Sequence, residues 1–149
     1  MDNLLAAISL AQSKPETLAK LAAVLEVAEQ EVVALGLSCS GCGECCDFAS
    51  AGHRLYASTA EIALVLSAGD PLDAPELRCG YHQQGLCCAR EKRPLGCRMY
   101  FCKDDDTRYQ AIYERTHERI SEMHRQEQIP YLYVELTAAL AQWRTKGED

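Results

Sequence analysis

Nine cysteines fall in 149 residues, and their positions constrain this chain more than any other feature. None occurs in residues 1–38 and none in 103–149. Four stand in Cys39-Ser-Gly-Cys42-Gly-Glu-Cys45-Cys46 and five in Cys79-x7-Cys87-Cys88-x8-Cys97-x4-Cys102. A Cys-x2-Cys step puts two thiolates on one tight loop, and glycine eases such a turn by tolerating positive φ. Gly41 and Gly43 lie between the first three cysteines. A repeated Cys-x2-Cys answered by a second cysteine group points to metal.

The alternative use of cysteine, a disulfide framework, fits poorly. The start Met1-Asp2-Asn3 lacks the basic region of a signal peptide. The expected compartment is therefore the cytoplasm, where thiols stay reduced or bind metal. An odd count also leaves one cysteine over. The net charge of −7 disfavours nucleic acid as a partner. No apolar run approaches the roughly 18–20 residues of a membrane span, so no membrane role is expected.

The cysteine-free ends read as helices. Leu4, Leu5, Ala7, Ile8 and Ala11 make a short apolar face. Ser13-Lys14-Pro15-Glu16 has the form of a capping box, followed by Leu18, Leu21, Ala22, Leu25, Ala28, Val32 and Leu35 at helical spacing, with Gly36 as the stop. A second capping box, Ser58-x-x-Glu61, opens a shorter helix with Ile62, Leu64, Val65 and Leu66 that sets the distance between the cysteine groups. Gly69-Asp70-Pro71 ends it. Asp104-Asp105-Asp106 reads as a helix cap rather than a cation site. Tyr109, Ile112, Tyr113, Thr116, Ile120 and Met123 form a core stripe; Pro130 breaks it, and a last helix follows with Tyr133, Leu136, Leu140 and Trp143. The longest strand expected is Arg54–Ala57. The expected fold is mainly α: a small helical domain with an irregular, metal-stapled cysteine-rich middle. Residues 1–149 form one domain, with N-terminal helices over 1–36, the cysteine core over 39–102 and C-terminal helices over 104–146.

Thiolates suit zinc and iron–sulfur clusters alike. Four thiolates are a standard structural zinc set. Cys39-x2-Cys42-x2-Cys45 is also similar to the ferredoxin loop, but there a fourth cysteine follows after three residues and precedes proline. Here Cys46 adjoins Cys45 and Asp47 follows. Residues 78–103 carry Arg78, Arg90, Lys92, Arg93, Arg98 and Lys103 against Glu91 alone, and positive neighbours favour thiolate over thiol.

The order Cys39-x2-Cys42-x2-Cys45-Cys46, Ser58-Thr59-x-Glu61-Ile62, Cys79, Gly85-x-Cys87 and Arg93-Pro94-x-x-Cys97-Arg98-x-Tyr100 resembles the YkgJ family of bacterial zinc- or iron-chelating cysteine-cluster domains. The likeness spans residues 39–102, and Arg-Pro-x-x-Cys-Arg is its most specific part. It implies Cys39, Cys42, Cys45, Cys46, Cys79, Cys87 and Cys97 as ligands. Cys102 joins them because a Cys97-x4 spacing can reach the same site. Cys88 stands where the family has an aliphatic residue and is the expected non-ligand. Arg93 or Arg98 is expected to neutralise the cluster through sulfur or a nearby carboxylate.

His82 and His53 are secondary ligand candidates. His117 and His124 share a helix face two turns apart, roughly 10 Å, too far for one metal, and are expected to be partly exposed. Glu44 reads as a solvent-facing turn residue. There is no Gly-rich phosphate loop, no Gly-x-Ser-x-Gly and no His-Glu-x-x-His, so the chain is expected to be a metal-binding protein rather than an enzyme. The runner-up is an iron–sulfur protein that transfers electrons or serves a redox enzyme as a protein partner. Thiol–disulfide chemistry at Cys45-Cys46 or Cys87-Cys88 ranks third, because adjacent cysteines bridge only with strain.

Overall fold

Apolar spacing at the two ends and a helix apolar all round in the middle define the architecture. The computed structural model describes residues 2–35, 55–69, 71, 82–83, 86–87, 92–99 and 110–146. Helices α1 (Asp2–Gln12) and α2 (Pro15–Ala34) follow one another closely. Strand β1 (Tyr56–Ser58) leads directly into α3 (Thr59–Leu66). A small hairpin of β2 (His82–Gln83) and β3 (Leu86–Cys87) and the short α4 (Leu95–Met99) come next. Helix α5 (Gln110–Glu127), strand β4 (Tyr133–Glu135) and α6 (Leu136–Thr145) complete the described elements. The fold is mainly helical.

Every residue of α3 is buried, Glu61 and Thr59 included. A helix apolar on all sides belongs inside a core, and α1, α2, β1 and α6 all pack on this one. Leu4, Ile8 and Ala11 from α1, Leu21, Leu25, Ala28 and Val32 from α2, and Leu136, Leu140 and Trp143 from α6 close around Ile62, Leu64 and Val65. Most residues of the expected stripes are buried, and Leu5, Ala22, Leu35, Tyr113 and Met123 pack partly buried against the same core. β1 pairs antiparallel with β4, Ala57 opposite Val134, which brings the C-terminal segment back beside the entry to α3.

Local chemistry explains where the elements begin and end. At α3 the Ser58–Glu61 capping box is formed. At α2 the expected box is not: the N-cap is Lys14 with no side-chain cap, and Ser13 instead donates to Leu10 O in the last turn of α1. Pro15 alone sets that start, because its missing N–H costs nothing at the first helical position. Helix α5 stops at Gln128, whose φ is +58°. There Gln128 N donates to Arg125 O at 3.3 Å and Ile129 N to His124 O at 2.9 Å, the paired bonds of a Schellman end. Thr59 then anchors the next turn: its Oγ1 donates to Pro130 O at 2.8 Å and accepts from Leu132 N at 3.0 Å.

Two expectations are corrected. Tyr133 does not open the last helix; it lies in β4, 40% exposed, and α6 begins at Leu136. Glu135 caps that helix, accepting from Thr137 N at 2.8 Å and Ala138 N at 3.1 Å. His124 is not partly exposed but 1% accessible, because the turn of α5 that carries it faces α3. Gly36, Arg54, the Asp104–Asp106 run and Tyr109 lie outside the described residues.

Candidate metal centre

Two of the expected ligands fall on described elements. Cys87 is on β3, where the register sets it opposite His82, a secondary candidate, across the hairpin. Cys97 is in the middle of α4. Cys39, Cys42, Cys45, Cys46, Cys79, Cys88 and Cys102 lie outside the described residues, as do Glu44 and His53.

The helix bearing Cys97 is tied down from three directions. Glu61, buried in α3, is the first tie. Its Oε1 accepts from Ser58 N at 3.0 Å and from Ser58 Oγ at 2.8 Å, completing its own helix cap. Its Oε2 accepts from Leu95 N at 2.6 Å, in the first turn of α4. One carboxylate therefore serves the starts of two helices separated by more than thirty residues in the chain. A carboxylate at a helix start satisfies free N–H groups and the positive end of the dipole.

The second tie is ionic. Arg93 Nη2 donates to Glu29 Oε1 of α2 at 2.8 Å, and Arg98 Nη1 donates to the same oxygen at 3.2 Å. Arg98 Nε donates to Arg93 O at 2.9 Å, closing the loop around Pro94. Both guanidinium groups are buried. Buried charges need partners, and charge-assisted bonds to a carboxylate are the stronger kind. Both arginines thus bind one carboxylate, that of Glu29.

Packing supplies the third tie. Leu95 is fully buried and Pro94 is buried beside it. At Gly96 an added Cβ would stand 3.2 Å from Leu55 Cγ and 3.3 Å from its Cδ1, so the absence of a side chain lets α4 approach the segment leading into β1. Lys92 Nζ donates to Ser67 O at 3.2 Å, at the far end of α3 from Glu61. The two ends of α3 are thus both linked to the segment that delivers Cys97.

No family model, curated protein or solved structure matches the chain. The site's meaning rests on its own chemistry. Among the described residues, no group of three His, Cys, Asp or Glu side chains could hold a metal ion. Among them, also, no helix is long and apolar enough to cross a membrane.

Sequence reasoning missed Glu29 and the second role of Glu61. Glu61 showed itself as a capping residue, but its bond to Leu95 bridges elements that only the fold brings together. Glu29 sits on a helix with several exposed acids and carries no local mark. A third group was also missed. Tyr113, His117, Tyr131 and Tyr133 gather where α5 meets β4, with Tyr56 stacked on Tyr133 at 5.7 Å. Tyr113 and Tyr133 hydroxyls are 3.0 Å apart, and Tyr131 Oη lies 2.9 Å from His117 Nε2. Burial pushes the Tyr131 and Tyr133 hydroxyls up from their ordinary range.

Proposed function

We propose that this chain is a cysteine-cluster protein of YkgJ type that chelates zinc or iron through Cys39, Cys42, Cys45, Cys46, Cys79, Cys87, Cys97 and Cys102. The observation that carries the reading is the pairing of Cys-x2-Cys-x2-Cys-Cys with a second cysteine group inside a chain otherwise free of cysteine. Thiolates at this density are soft donors, and four close one tetrahedral zinc site. The fixed placement of Cys97's helix supports it. A ligand held by α4 costs little further ordering when metal binds, because Glu61, Glu29 and Leu55 already restrain that helix. Binding metal then cross-links segments far apart in sequence and adds to folding energy.

The role is binding rather than catalysis, and the proposed setting is the cytoplasm. Cys88 is left outside the ligand set. The ferredoxin-like spacing of Cys39, Cys42 and Cys45 supports an iron–sulfur cluster as the second reading, with electron transfer or service to a redox enzyme as its use. Purification without oxygen, followed by elemental analysis and an absorbance spectrum, separates the two. One equivalent or more of zinc with no visible band supports chelation of zinc. About four irons with matching sulfide support the cluster. A protein that retains neither metal overturns both.

A further inference from the structure

Among the described residues, His124 is a fully buried titratable group with no part in the proposed metal centre, and its two ring nitrogens have opposite tasks. Nδ1 lies 2.7 Å from Ile120 O, one turn back on α5, and a carbonyl can only accept, so Nδ1 carries the proton. Nε2 lies 3.1 Å from Ala60 N, which can only donate, so Nε2 must be a bare acceptor. The ring is thus held neutral in one tautomer. Ala60 is in the first turn of α3, whose free N–H groups need acceptors. His124 supplies one from another helix, beside the Ser58–Glu61 box. The Tyr131 ring closes over it edge-on, with centroids 5.0 Å apart.

We propose that His124 is an acid-sensitive latch: neutral, it holds the N-terminus of α3 to α5, and protonated, it lets that contact go. A second proton on Nε2 turns acceptor into donor and points N–H at N–H. The bond to Ile120 survives; the bond to Ala60 does not.

The surrounding charges act on the ring in both directions. From α3, Glu61 favours the protonated ring, but its oxygens already accept from Ser58 and Leu95. On α5, His117 opposes protonation, while Glu118, Glu122 and Arg125 line an open groove of about 520 Å³ that leads to the ring. Glu122 and Arg125 pair with each other there. From the turn after α5, Tyr131 hydrogen-bonds His117 rather than His124. Desolvation outweighs the Ile120 carbonyl and Glu61, and holds His124 below the usual histidine range. A released histidine takes a proton near 6.5. Between the two values the released form binds more protons, so the latch is firm above about pH 6.5 and weakens as pH falls. Glu61 extends the consequence: the box that loosens with Ala60 is the one that bonds the start of α4.

The test uses the full chain, with whatever metal it carries. Ring nitrogen shifts of His124 and amide protection of Ala60, corrected for intrinsic exchange, are followed by NMR from pH 8 to 4.5. The ring should keep its neutral Nδ1–H form through pH 6.5 and titrate below it. Ala60 protection should fall by up to tenfold per pH unit over the same range. H124Q offers an uncharged acceptor in place of Nε2 and should flatten that fall, whereas H117Q should leave it intact. A His124 midpoint at or above 6.5 overturns the proposal, and so does Ala60 protection that ignores the titration. A folded H124Q with the same pH profile as the parent overturns it equally. Should H124Q fail to fold, the two measurements on the parent chain decide.

Discussion

At Glu61 one carboxylate accepts from Ser58 N, Ser58 Oγ and Leu95 N while 2% exposed, so an alanine there strands buried donors at two helix starts. Each buried donor left unpaired costs about 1–3 kcal/mol. Glu61→Ala should therefore lower stability by about 3 kcal/mol or more, read as a shift of the urea midpoint. Glu29 is 31% exposed and its partners are buried arginines. Glu29→Gln keeps the shape and loses the charge, and should cost about 1–2 kcal/mol after allowance for its exposure to solvent. At Gln128 the +58° φ strains a side chain where a Schellman end prefers glycine. Gln128→Gly should raise stability by about 0.5–1 kcal/mol in the same assay. These three effects have different legibility. The Ser58–Glu61 box could be read from four residues of sequence. Its bond to Leu95 could not, because no local rule links residues 34 apart. His124 was misread for a related reason. On a helix this polar, a histidine looks like a surface residue, and only its bond to Ala60 of α3 and the cover of Tyr131 reveal it as buried.

Elements with a strong apolar period were legible, and those set by pairing were not. The stripes of α1, α2 and α3 appear as core because each is decided within its own segment. Strand β4 was hidden in an apparent helical stripe: Tyr133 and Leu136 fit helical spacing, yet Tyr133–Glu135 pairs with Tyr56–Ser58 from a distant segment. The short α4 owes its position to contacts, not propensity. At Gly96 of this helix an added Cβ would meet the Leu55 side chain at 3.2 Å. Alanine there gains about 1 kcal/mol of helix propensity but must push Leu55 by tenths of an ångström in a packed core, which costs about 1–3 kcal/mol. Gly96→Ala should be destabilising by up to about 2 kcal/mol, and adding Leu55→Ala should give less than the sum of the two single losses. A double-mutant cycle by chemical denaturation measures this. The proposed ligand set follows the same division. Cysteine spacing is visible in the chain, and Cys42→Ser or Cys97→Ser should lower metal content and thermal stability together, with Cys88→Ser doing much less.

For the whole molecule, the proposed metal centre predicts how much of the fold remains when its metal is removed. Among the described residues, the apolar core draws on Leu, Ile, Val, Ala and Trp side chains of α1, α2, α3, α5 and α6. Stripping the metal with a chelator should therefore lower the melting temperature but leave most of the far-ultraviolet helical signal. The loss follows mass action, about 2.7 kcal/mol at a hundredfold excess of free metal over its dissociation constant. Collapse of the helical signal on chelation would show that the core needs the metal to form. The same core has a consequence in time. Helix α3 is covered by α1 and α2 from one side of the sequence and by α6 from the other, some seventy residues further on. Its apolar surface cannot be sealed by neighbours in the chain alone, and distant closure is slow to pay off in entropy. The folding rate of this helical protein should therefore sit nearer that of mixed α/β domains than of simple helical bundles. The step that limits it is the arrival of Leu136, Leu140 and Trp143 over a helix that until then stands open to water.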